Sequence, residues 1–254
     1  MQVSVVSRRV GAIPLTGFAL AGVLGALSIV AWIVVAQANM PMAGTLDPTA
    51  LALFTLIWGV GMVAMMFPSL VPLVYAVTVS ARKSVEEGHV SRVVRRFVIS
   101  ARASIFILGY VAIWTLVGLA FYLAIAGVTL AGLPVGMGMF GFWASLVLIA
   151  TGLYQFSRFK QKALLECRSP MSFIFTRWRN GSRGAGVMGA DYGLFCTRCC
   201  WVLMAGLLTV GAMSLPLMGA FSIIIFVEKI VPFGSIISKL IGAAFIGTGL
   251  LLLV

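Results

Sequence analysis

Charge is what this chain has least of. Of its 254 residues only 9% are Asp, Glu, Lys or Arg, against about 25% in an average soluble domain. Acidic residues number 6 and histidine 1. The shortage goes with 61% hydrophobic residues and a mean hydropathy of +1.13. A water-soluble fold of this size cannot bury that much apolar surface. A soluble enzyme, a disordered chain and a disulfide-rich secreted module are excluded together. The lone histidine, His89, sits in a basic stretch beside Glu86 and Glu87. It excludes bis-histidine haem ligation within the chain and a histidine-built zinc catalytic site. Neither a Walker loop nor a dinucleotide fingerprint occurs, so no haem and no nucleotide is expected. The glycine-rich residues 181–186 follow no predicted strand and read as a flexible loop.

What is present is a series of long apolar runs. A bilayer core of about 30 Å needs roughly 20 apolar helical residues. Seven stretches meet or approach that length: about 12–37, 51–79, 103–126, 136–157, 190–214, 216–231 and 235–254. The last two are parted only by Pro232-Phe233-Gly234 and the sixth is short, so one span plus a re-entrant piece is the alternative. The expected architecture is an all-α, polytopic transmembrane helix bundle of six to seven spans with short loops, a single integral membrane domain over residues 1–254.

The net charge is +12, and the position of the cations explains it. Arg8 and Arg9 precede the first span. Arg82, Lys83, Arg92, Arg95, Arg96 and Arg102 lie between spans two and three. Arg158, Lys160, Lys162, Arg168, Arg177, Arg179 and Arg183 lie between spans four and five. Arg198 is early in span five, and Lys229 and Lys239 flank the last break. With a cytoplasmic N-terminus all 18 fall at or near the cytoplasmic side. The outer loops near 38–50, 127–135 and 214–217 hold no Lys or Arg, and Asp47 is their only charge. This positive-inside pattern predicts N-in and, with seven spans, C-out. The basic loops orient the chain and meet anionic lipid; nucleic acid is not an expected partner. The expected location is the inner (plasma) membrane. Ser7-Arg8-Arg9, an apolar run and Ala36-Gln37-Ala38 imitate a signal peptide. The run is about 26 residues, longer than a signal-peptide core of about 7–15, so an uncleaved first span is expected.

Cysteine is scarce but grouped. Cys196, Cys199 and Cys200 open span five, and Cys167 lies in the second basic loop. On a helix Cys196 and Cys200 share a face, Cys199 adjoins Cys196, and Met204 extends the stripe by a turn. The topology puts all four thiols near the cytoplasm, where structural disulfides do not persist. Reduced soft ligands at this spacing suit Cu(I) first and zinc second. The bland alternative is that cysteine packs as a small apolar residue. Met65 and Met66 in span two are a softer extension of the same donor set, or flexible packing. Pro68 and Pro72 free backbone carbonyls that need partners, which places span two inside the bundle. Glu228-Lys229 and Asp191 are ionisable groups within or beside spans and so are functional candidates. The alternative has Lys229 snorkelling and Glu228 paired with Arg198 or Lys239. Tyr154-Gln155 and Trp178 read as interfacial anchors.

Residues 154–229 resemble a bacterial family of predicted metal-binding integral membrane proteins, a domain family of unknown function. The resemblance is carried by Tyr154-Gln155, Lys160, Cys167-Arg168-Ser169-Pro170, Trp178, Gly193, Cys196, Cys199-Cys200-Trp201, Met204 and Glu228-Lys229. Trp58, Ala64-Met65-Met66, Pro68 and Pro72 resemble its second-helix motif. It implies a polytopic inner-membrane protein with a metal site and supplies no activity. The chain departs from the family pattern at Ala163, where cysteine is usual, and at Glu166 and Tyr192, where histidine is usual. The implied site is thus reduced, altered in ligand type or lost.

Three functions compete on these grounds. The first is metal handling, with Cys167, Cys196, Cys199 and Cys200 as a thiolate site, Met65, Met66 and Met204 as its extension, and Glu228 as a further ligand. The second is thiol redox chemistry on Cys196/Cys199 or Cys199/Cys200, with an acceptor between helices. The third is a structural or assembly subunit with a membrane-protein partner, its contacts made by Gly141, Gly206, Gly211 and Gly219. No acidic pair sits at mid-membrane to drive ion-coupled transport.

Overall fold

The computed structural model describes residues 15–38, 47–86, 91–131, 140–211 and 214–253. Arg8, Arg9 and His89 lie outside them. Among the described residues the chain is helical almost throughout: α1 (Leu15–Gln37), α2 (Pro48–Glu86), α3 (Arg92–Leu130), α4 (Phe140–Gln155), α5 (Arg158–Arg168), α6 (Pro170–Arg177), α7 (Gly181–Gly211), α8 (Leu215–Ile230) and α9 (Gly234–Leu251). Five segments are long and apolar enough to cross a membrane: Gly17–Gln37, Pro48–Arg82, Val93–Leu130, Gly181–Leu208 and Gly234–Leu251. The chain is a polytopic helix bundle with several membrane-spanning helices. Spans four and six, expected from the sequence, correspond to α4 and α8. Each of these has 16 residues, about 24 Å of helix against a bilayer core of about 30 Å.

Local chemistry sets the helix ends. Asp47 caps α2: its carboxylate accepts from the Thr49 hydroxyl and from the backbone N–H groups of Thr49 and Ala50. The Thr49 hydroxyl and those N–H groups hold the Asp47 pKa below its ordinary value. Pro48 follows at the first helical position, where a missing N–H costs nothing. The Pro232-Phe233-Gly234 break is present between α8 and α9. Residues 181–186, expected as a loop, are instead the first turns of α7; Gly181 enters them with a φ of +81°. A left-handed residue there is accommodated by glycine.

Span two is an interior helix, as its prolines require. Proline at 68 leaves the Ala64 carbonyl without its helical donor. The buried Ser28 hydroxyl on α1 donates to that carbonyl at 2.7 Å. The α3–α7 pair is the most extensive in the bundle. It depends on Gly109 of α3 and Gly186 and Gly189 of α7. A Cβ at Gly189 would strike the Phe106 carbonyl, and one at Gly109 the Gly186 carbonyl. Small residues let the two backbones approach. Of the glycines expected to make contacts, Gly206 meets Thr151 and Gly219 meets open space. Gly141 and Gly211 lie outside the residues whose surroundings are described.

The polar stretch between α4 and α7 folds into two short helices, α5 and α6. They pack against α7, α8 and α2 at one end of the bundle. The buried face of α5 is Lys160, Ala163, Leu164 and Cys167. That is helical i, i+3, i+4, i+7 spacing, with an ammonium and a thiol among its members.

Candidate functional site

The inward stripe of α7 carries Tyr192, Cys196, Cys199, Cys200 and Met204, all at 3% exposure or less. Because α7 starts at Gly181 and not near 190, the cysteines fall near its middle. The expectation that they open the helix is corrected by those extra turns.

Four other helices converge on this stripe. From α5, the buried Cys167 thiol joins the same core, where its interaction with Cys196 and Cys199, together with burial, pushes its pKa well above the ordinary thiol value. From α3, the Tyr110 hydroxyl lies 3.4 Å from the Cys196 sulfur. From α8, the Lys229 ammonium donates to Cys196 Sγ at 2.8 Å and reaches Met66 Sδ of α2 at 3.5 Å. The Cys199 and Cys200 sulfurs are 3.2 Å apart. All four cysteines are free thiols.

A polar frame fixes this arrangement. Lys160 of α5 pairs with Glu228 of α8 at 2.8 Å, with exposures of 0% and 1%. Arg168 donates to the Val231 and Pro232 carbonyls at 2.7 and 2.6 Å. A guanidinium there satisfies carbonyls at a helix C-terminus and suits its dipole. Two cations of α5 therefore clasp the end of α8, setting Cys167 and Lys229 on the same thiols. Gly234 is needed beside them, since a Cβ would run into the Glu228 carbonyl. Tyr192 completes the frame. Its hydroxyl donates to the Cys167 carbonyl at 3.0 Å, and its ring lies 5.3 Å from Phe173 and 6.0 Å from Tyr110.

Several expectations from the sequence are revised by this geometry. Glu228 pairs with Lys160, not with Arg198 or Lys239. Arg198 is exposed and lies over the Phe195 ring at 5.8 Å. Lys229 does not snorkel; it is buried at 6% exposure. Gln155 is no interfacial anchor, being buried and accepting from Ser238 at 3.0 Å. Tyr154 donates to the Arg198 carbonyl, and Trp178 donates to Asn180. Asp191 faces Arg177 at 3.7 Å.

Of the residues singled out in the sequence, Cys167, Cys196, Cys199, Cys200 and Met66 come together. Met65 and Met204 are buried in the same core. Met65 accepts through its carbonyl from Ser222, and Met204 lies a turn beyond Cys200. Tyr110 belongs to the site but looks ordinary in the sequence, an aromatic in an apolar run; Lys160 and Arg168 stand in the family motif, which gives them no role. The signal that distinguishes Lys160 is its helical spacing from Cys167. The two departures at 163 and 192 also fall here, Ala163 on the buried face of α5 and Tyr192 against Cys167.

Among the described residues, no group of three or more His, Cys, Asp or Glu side chains is disposed to hold a metal ion. Two sulfurs sharing a tetrahedral ion at about 2.3 Å each stand about 3.8 Å apart, farther than the 3.2 Å of Cys199 and Cys200. A cation already rests against Cys196, namely the Lys229 ammonium. The donors themselves are soft thiols and a thioether, the set that selects Cu(I). In ligand chemistry the group fits that ion. In geometry it is closed around an ammonium.

No curated protein and no solved structure matches the chain. One family does, over residues 55–252, from within α2 to the end of α9. The helices that build the thiol cluster thus lie in the matched region, and the chain belongs to the PpoB2 family, whose description is copper chaperone.

Proposed function

We propose that the chain is a membrane-embedded Cu(I) handler, with the ion as cargo held by Cys196, Cys199 and Cys167. The observation that carries this reading is the convergence of the buried Cys196 thiol and the Met66 thioether on one internal cation, with Cys167, Cys199 and Cys200 buried in the same core. A buried ammonium is costly without an electron-rich partner, and the Cys196 sulfur supplies one. Lys229 thus lies where the cargo would bind. Loading requires its ammonium to move aside and the Cys199–Cys200 pair to open. Its return opposes retention, which suits a protein that passes its ion on. Cys200, Met65 and Met204 extend the soft donor set along α7 and α2. Glu228 is a frame residue through Lys160. Zinc is the second candidate, and a membrane-protein partner is the implied acceptor. The topology we favour is seven spans with α4 and α8 as the short ones, N-in and C-out in the inner membrane, with the thiols toward the cytoplasm.

The test is metal content after expression in copper- and zinc-supplied cells. The unmutated chain is expected to hold about one copper ion. Cys196→Ser and Cys199→Ser should each lower its affinity by about tenfold or more. Lys229→Met, which keeps the side-chain length and removes the charge, should slow copper loss to a chelator by about tenfold, or about 1.4 kcal/mol. Purified unmutated protein without copper or zinc would sink the reading.

A further inference from the structure

On the outer face of α5 lies a second group of cations that the thiol site does not use. Arg158 and Lys162 of α5, Arg177 of α6 and Arg198 of α7 line an open cavity of about 460 Å³. Glu166 is the one carboxylate on its wall. Asp191 meets Arg177 at 3.7 Å from outside. Among the described residues Arg158, Lys162 and Arg198 have no carboxylate within ion-pair distance. The guanidiniums of Arg177 and Arg198 both lie over the Phe195 ring, at 5.4 and 5.8 Å from its centre. One aromatic ring therefore holds two like charges at the same opening.

The rim is apolar. Phe159, on the wall itself, is 77% exposed, and Leu165 and Phe156 nearby are 60% and 45% exposed. The cavity begins immediately after α4 ends, at the basic end of the bundle. A cationic hollow with exposed hydrocarbon beside it is shaped for an amphiphile that carries a negative head. Free phosphate would use the cations and ignore the rim.

We infer that this cavity is a binding site for the headgroup phosphate of an anionic phospholipid. Arg158, Lys162, Arg177 and Arg198 meet the phosphodiester, and Phe159 lies along the acyl chains. Basic pockets between helices at the cytoplasmic surface take such headgroups. The cavity reaches Ala163 of the buried α5 face, but none of the four cysteines lines it, and it stands or falls independently of copper.

The full chain in detergent, titrated with phosphatidylglycerol or phosphatidylcholine and read by native mass spectrometry, tests it. Phosphatidylglycerol should be retained about tenfold or more over phosphatidylcholine. The double variant Arg158→Gln/Arg198→Gln should lose that preference. Arg158→Lys/Arg198→Lys should keep most of it, and Lys239→Gln, an exposed cation elsewhere, all of it. Equal retention of both lipids, or an unchanged preference in the glutamine variant, would overturn the site. Inorganic phosphate that displaced the lipid as well as phosphatidylglycerol does would overturn its assignment to a lipid.

Discussion

Lys160 and Glu228 show how much one buried pair can determine. Each is nearly without exposure, and their contact at 2.8 Å joins α5 to α8. Removing one partner of such a pair leaves an uncompensated charge and costs about 3–5 kcal/mol, whereas replacing both by apolar groups is often neutral. Glu228→Gln is therefore expected to lower the thermal unfolding temperature sharply, and Lys160→Met/Glu228→Met to recover most of the loss. Unfolding in detergent, followed by circular dichroism, measures both; a double variant as unstable as the single would contradict the pairing. At this scale the sequence was half legible. Cys196, Cys199 and Cys200 announce themselves by crowding, and Cys167 by its place in the family motif. Lys160 and Lys229 stand in that motif too, but their burial is not legible, because a buried lysine and a lysine that marks membrane orientation are the same letter. Only the buried spacing of Lys160 with Cys167 on α5 separates them.

Among the elements, α3 and α7 form the contact on which the site rests, since Tyr110 reaches Cys196 only where these helices nearly touch. Gly189→Val should force them apart at the Phe106 carbonyl. The expected outcome is faster alkylation of Cys196 by a membrane-permeant maleimide, with the other three cysteines replaced by serine. An unchanged rate would show that α3 does not seal the cluster. The long helices are legible as apolar runs, and the Pro232-Phe233-Gly234 break was read as it stands. Pro68 also announced a need that Ser28 meets. Less legible were α5, α6 and the first turns of α7. Their residues are polar or glycine-rich, and periodicity over 8 or 11 residues is a thin signal. Tertiary contacts with α8 and α2 make them helices, and no local pattern states those contacts.

For the whole molecule, the basic residues read as a label of one side, with two of them turned inward. The topology we favour makes a concrete expectation. Thr129→Cys, at the exposed outer end of α3, should react with an impermeant maleimide in intact cells. Arg179→Cys, in the exposed link before α7, should react only after the membrane is opened. The reverse pattern would invert the orientation and move the thiol cluster to the other compartment. The bundle itself was predictable from hydropathy, and five helices are long and apolar enough to cross; whether α4 and α8 cross as well was not legible, because an apolar run of 16 residues reads alike in a crossing helix and in one that stops part-way.

The closure of the cluster has a kinetic meaning. Five helices contribute to it and its sulfurs are buried, so nothing in either water layer touches them in this state. An ion cannot arrive by diffusion alone; it must wait for the helices to part. Exchange then proceeds no faster than that opening, however abundant the donor. Openings of this kind fall in the microsecond-to-second range of collective motions. If the chain hands on copper as proposed, helix packing sets an upper limit on the pace of that exchange.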